Sequence, residues 1–218
     1  MTGFAPQKPN HGSLTEAVRV GNVKAVIALL DQGADVSEKN EYNEETPLIV
    51  AACNDRTEII DLLLARGAHL EEEDSAGFTA LLRAVLHNRE ASAALLIERG
   101  ANVNHKNNCD STSLIFAARR NRLKTVRKLL EYGAEVEMKD ASGNTAKDEA
   151  EKAQFEEIIL ELKDVPSAED RLAWKRAEQA AVAAAAATKA THELSVNRHD
   201  LLRSHKERFK LKVRPKPC

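Results

Sequence analysis

The sequence predicts an all-α solenoid of helix-turn-helix units joined by protruding hairpin loops, followed by a helical, basic tail. Three observations carry this. A Gly-Ala pair closes an apolar run at Gly33-Ala34, Gly67-Ala68, Gly100-Ala101 and Gly133-Ala134, at spacings of 34, 33 and 33. A threonine recurs at Thr46, Thr79, Thr112 and Thr145, 33 residues apart each time. Two independent marks with one period signal a repeat array, in which each unit buries its apolar face against its neighbours. Third, composition and charge change together near Pro166.

The elements follow in order. Residues 1–11, with Pro6 and Pro9, read as a flexible lead-in with no signal-peptide or myristoylation pattern. The repeats then fall at about 12–40, 41–73, 74–106, 107–139 and 140–163. In the first copy, Ser13 and Glu16 form an S-x-x-E pattern that predicts a capping box. Thr46 before Pro47 predicts an N-cap with proline at the first helical position, where its missing N–H costs nothing. Each first helix must stop after about two turns, in a slot held by Gly21, Asp55, Asn88 and Asn121. These residue types tolerate left-handed backbone. The second helix buries an apolar pair near its end: Leu29-Leu30, Leu63-Leu64, Leu96-Ile97 and Leu129-Leu130. Ala17, Ala51, Ala84 and Ala117 let helices approach closely. The stretches that follow (DVSEKN, HLEEED, NVNHKN, EVEMKD) are polar and turn-prone, as hairpins require.

The chain has 218 residues, 32 Lys+Arg against 34 Asp+Glu, and only 4% aromatics. The net charge of -2 hides an asymmetry. Residues 1–163 carry 20 basic and 27 acidic side chains, residues 164–218 carry 12 and 7. Three dispersed cysteines (Cys53, Cys109, Cys218) without a CxxC point to a reduced, cytoplasmic setting, with nucleus or cytoskeleton as alternatives. The longest apolar run, AAVAAAAA at 180–187, is too short to cross a bilayer. No HExxH, GxSxG, P-loop or GxGxxG occurs, so neither an enzyme nor a cofactor or metal site is expected.

The repeat resembles the ankyrin repeat, with its T-P-L-H-x-A signature. Thr46-Pro47-Leu48, the Gly-Ala pairs and Asn102-Val103-Asn104 carry the likeness across about residues 12–163. The family's histidine slot holds Ile49, Leu82, Ile115 and Asp148, and only Thr46 precedes a proline. The fifth copy, TAKDEAEKAQFEEIILELK, replaces an apolar slot with Lys147 and lacks the Gly-Ala ending, as a water-facing terminal cap should.

The resemblance implies that ligands lie across the hairpin tips and the exposed side of the first helices. Those slots hold Tyr42, Asn43, Glu45, Cys53 and Asn54, then Ser75, Phe78, Leu86 and His87, then Asn108, Cys109, Ser111, Arg119 and Arg120. Exposed Tyr42, Phe78 and Leu86 beside Arg119 and Arg120 would have the composition of a binding hot spot. The acidic tips (Glu41, Glu44, Glu45, Glu71 to Asp74) suggest either a basic ligand or solubilising loops. The basic run Arg119, Arg120, Arg122, Lys124, Arg127 and Lys128 reads first as a solvated helix face.

In the tail, Ser167 and Asp170 open an Ala-rich helical stretch through Trp174. The end alternates Phe209, Leu211 and Val213 with Lys210, Lys212 and Arg214, an extended pattern suited to a protein partner more than to nucleic acid or an anionic surface. The expected function is non-enzymatic protein binding by an adaptor or scaffold, using the solenoid face plus the tail. The alternative is a regulatory inhibitor of a kinase or transcription factor acting through the solenoid alone.

Overall fold

The computed structural model describes residues 11–163 and 165, within a unit spanning Met1–Glu169. The readings for the Ala-rich stretch and for Phe209 to Arg214 lie outside the described residues.

Ten helices and no strand occur among the described residues: α1 His11–Val20, α2 Val23–Asp31, α3 Pro47–Cys53, α4 Thr57–Ala65, α5 Ala80–Leu86, α6 Glu90–Glu98, α7 Ser113–Arg119, α8 Leu123–Glu131, α9 Ala146–Lys152 and α10 Glu156–Lys163. The first helices of the pairs stack on one another, and so do the second helices, giving a two-layer solenoid wall. The core runs continuously from Leu14 to Leu162.

The repeating marks have local causes. Each cap threonine from the second copy onward lies in extended backbone and accepts the N–H three residues on: Thr46 from Ile49, Thr79 from Leu82, Thr112 from Ile115, Thr145 from Asp148. The cap of the fifth copy is reciprocal, because the Asp148 carboxylate also accepts from the Thr145 N–H at 2.8 Å. Each first helix turns off through Asp55, Asn88, Asn121 or Gln154 at φ of 55 to 58°, or through Gly21 at 85°. In the second copy the Arg56 N–H returns to the Ala51 carbonyl and the Asp55 N–H to Ala52, the paired bonds of a Schellman stop. The alanine of that stop is fully buried at Ala51, Ala84, Ala117 and Ala150. The Gly-Ala pairs close the second helices in the same way; Ala68 N–H bonds Leu63 and Gly67 N–H bonds Leu64.

Two expectations need correction. Ser13 lies inside α1, which begins at His11, so it is not the N-cap. Leu29 and Leu30 are both only half-buried, and of Leu63 and Leu64 only Leu63 is buried, unlike Leu96 with Ile97 or Leu129 with Leu130, where both members are buried. Val26 carries the burial of α2 instead.

Candidate protein-binding face

The hairpin tips are built by a residue the period did not flag. Asn40, Asp74, Asn107 and Asp140 each turn a side-chain oxygen back onto two N–H groups of their own tip. Asn40 accepts from Tyr42 and Asn43, and Asp74 from Ala76 and Phe78. Asn107 accepts from Cys109 and Ser111, and Asp140 from Ser142 and Asn144. Their recurrence at one period, always Asn or Asp, was the signal available in the sequence. Adjacent tips are then tied through backbone: Ser75 N–H to Asn43, Asn108 N–H to Ala76, Ala141 N–H to Cys109. Gly77, at φ 74°, must be glycine, because a Cβ there would sit 2.8 Å from the Asn108 backbone nitrogen.

Tip and first helix are locked together by ion pairs. Buried Asp74 takes Arg83 through Nε at 2.6 Å and Nη2 at 2.5 Å, and the guanidinium lies 4.5 Å over the Phe78 ring. Two repeats on, Asp140 pairs with Arg119 at 3.0 Å, Glu149 joins it at 2.5 Å, and Arg119 lies 5.8 Å from the Phe116 ring centre. Phe78 and Phe116 pack with centroids 5.6 Å apart. Phe78, expected as an exposed contact residue, is half-buried in the wall of this face, Arg119 stays exposed while it bridges Asp140 and Glu149, and Leu86 is half-buried against the core. Their apolar or cationic character gave no sign of this, since each pairs across a repeat boundary or within a tip.

The remaining predicted residues are distributed as follows. Tyr42 is 99% exposed at the first tip. Asn43 is half-buried, with its side-chain oxygen enclosed and unpartnered. Ser111 is buried, Asn108 and Cys109 are exposed, and the Asn108 amide donates to the Ser75 carbonyl at 3.2 Å. His87 and Arg120 are exposed at the end of their helices. Burial and the cations Arg83 and Arg89 hold the His87 imidazole below its usual range, so it is neutral at physiological pH. Burial, with Glu45 adding to it, pushes the Cys53 thiol up to about 12.

Tyr42, Glu45, Cys53 and Asn54 come together in one cleft of about 630 Å³ between α1, the first hairpin and α3, with Thr15, Arg19, Glu38 and Val50 also on its walls. Thr15 and Arg19 were not foreseen, because they belong to the preceding repeat. His87, Asn108, Arg119 and Arg120 do not line it.

The basic run is largely spoken for. Lys124 faces Glu90 at 3.6 Å, Lys128 faces Glu98 at 2.9 Å, and Arg127 faces Glu161 at 2.8 Å. Arg66 with Asp31 and Arg99 with Asp61 extend the same pattern toward the N-terminus. Opposite charges roughly one period apart were visible in the sequence. No cluster of three metal-ligating side chains occurs among the described residues, and no described helix is long and apolar enough to cross a membrane.

Family models decide what the stacked units are: one for ankyrin repeats in three copies matches residues 14–107, and another for ankyrin repeats in many copies matches residues 96–150. The chain belongs to the ankyrin-repeat family. Among curated proteins, it is similar to the glycerophosphocholine phosphodiesterase gde1 of Schizosaccharomyces pombe, 37% identical over 84 residues. It is also similar to the ankyrin repeat and KH domain-containing protein mask of Drosophila melanogaster, 35% identical over 55 residues. These matches cover 37% and 25% of this chain but 7% and 1% of the relatives' lengths. Ankyrin arrays are typically non-catalytic and offer an extended concave surface to protein partners, which is the coarse function of this chain.

Proposed function

We propose that the protein is a non-enzymatic adaptor or scaffold of the reduced cytoplasm, which grips a protein partner across the hairpin tips and first helices and makes a second contact through its basic tail. The observation that carries this reading is Tyr42. A large aromatic side chain that is 99% exposed stands at the rim of a cleft, with no internal packing role to explain it. Aromatic side chains placed so are enriched at the centres of protein interfaces. The tail adds affinity by effective concentration, since a tethered second contact needs no new encounter.

The test compares partners captured by the full chain, by residues 1–163, and by a Tyr42→Ala/His87→Ala/Arg120→Ala variant. Phe78 and Arg119 are left intact because they hold the wall together. Loss of a partner set in the triple variant, and weaker capture by the truncation, are the expected results. Identical capture by all three removes the reading.

A further inference from the structure

The acidic tips differ in what their charge is free to do. At the second tip three of the four carboxylates are used inside the protein. Glu71 caps the Asn102 N–H at 2.8 Å, Glu73 faces His105 at 3.5 Å, and Asp74 is buried under Arg83. At the first tip Glu44 pairs with Lys39 at 3.5 Å. The carboxylates of Glu41 and Glu45 enter no hydrogen bond or ion pair among the described residues, and both line the cleft.

The cleft's own cations do not balance them. Arg19 is held by Glu16 at 2.8 Å, and Lys39 by the Glu73 carbonyl at 2.7 Å as well as by Glu44. Two lining carboxylates (Glu41, Glu45) therefore face lining cations that are already matched from outside the lining. The floor includes Val50, 7% exposed, and the half-buried Cys53, and the rim is the Tyr42 ring. An apolar floor, an aromatic rim and two uncommitted carboxylates complement a long cationic side chain, which carries an apolar stem and a charged head.

We infer that this first-tip cleft is the anchor for an arginine or lysine side chain of a partner's peptide segment, its stem against Val50 and Tyr42 and its head met by Glu41 and Glu45. The inference rests on the protein-binding reading and names the chemistry that the partner must bring. Only one of the two acidic tips serves recognition, and the other is structural.

Selection from a displayed library of random peptides on the full chain tests it, followed by titration of a selected peptide. Peptides enriched in Arg or Lys beside an apolar residue are expected. Glu41→Gln and Glu45→Gln should each weaken such a peptide by about threefold to fivefold, as half-exposed ion pairs do. Tyr42→Ala should cost about twofold to fivefold. The double reversal Glu41→Lys/Glu45→Lys should turn the selected charge to Asp or Glu. Neither carboxylate is bonded among the described residues, so unchanged thermal melts are expected and separate recognition from folding. Selection without a basic preference, or a basic preference that survives both Gln variants and the reversal, overturns the inference while protein binding stands. No enrichment on any variant overturns the inference, and if the partner capture described above fails too, the broader reading falls with it.

Discussion

Removal of the Asp74 carboxylate is expected to be among the costliest single changes on the hairpin edge. Its side chain is fully enclosed, with one oxygen accepting from the Ala76 and Phe78 N–H groups at 2.9 and 3.1 Å. The other oxygen takes two bonds from Arg83, itself only 18% exposed. Asp74→Asn keeps the acceptor for the two N–H groups, as Asn40 and Asn107 do at their own tips, and loses only the charge partner of Arg83. A charge-assisted pair of this burial contributes about 1.5–3 kcal/mol. Asp74→Ala further leaves two N–H groups without their acceptor, at about 1 kcal/mol each, for a total of about 3–5 kcal/mol. Urea unfolding followed by circular dichroism at neutral pH measures both. A double-mutant cycle with Arg83→Met should return a coupling above about 1 kcal/mol. An Asp74→Ala cost below about 1 kcal/mol, or equal costs for the two variants, would refute the account of the tip.

Three further expectations follow from particular sites. Ser113 opens α7 where the second copy has Pro47; it is 1% exposed and its hydroxyl has no partner. Ser113→Pro should raise stability by about 1–2 kcal/mol in the same urea assay, by removing an unsatisfied hydroxyl and restricting the unfolded chain; a loss would show that the position does not tolerate proline. In the last repeat three carboxyls lie below their ordinary values. Burial pushes Asp140 and Glu149 up, but hydrogen bonds from Asn144, Ser142 and Arg119 outweigh it, and the Thr145 cap lowers Asp148. Folded, these groups bind fewer protons than unfolded, so their stabilisation is complete above the usual carboxylate range and is lost as pH falls through the folded values. Urea midpoints should drop below about pH 4, and less steeply in Asp140→Asn/Glu149→Gln; equal slopes would remove this assignment. Finally, the Cys53 thiol, near 12 and half-buried, should alkylate at least about tenfold more slowly than exposed Cys109 at pH 8, read by peptide mapping; equal rates would contradict its environment.

The array was legible in the sequence because its determinants are local and periodic. Thr46, Thr79, Thr112 and Thr145 cap helices that start one residue later, and Asp55, Asn88 and Asn121 take the left-handed stops, since caps and stops depend on backbone within a few residues. Other positions were harder: α1 already includes Ser13, and Leu29, Leu30 and Leu64 are half-buried where the repeat pattern marks a buried pair. What only the tertiary structure decided is which surface charges and rings are free. Arg119 is engaged by Asp140 and Glu149, Phe78 by Arg83 and Phe116, and Asp74 by Arg83, whereas Tyr42 stands clear and the Glu41 and Glu45 carboxylates pair with none of the described residues. The sequence marks the same residue types at corresponding slots of every repeat. Whether a given side chain is spent or available depends on the partner that stacking brings to it from a neighbouring tip or helix, and that is a property of the assembled wall, not of any one unit.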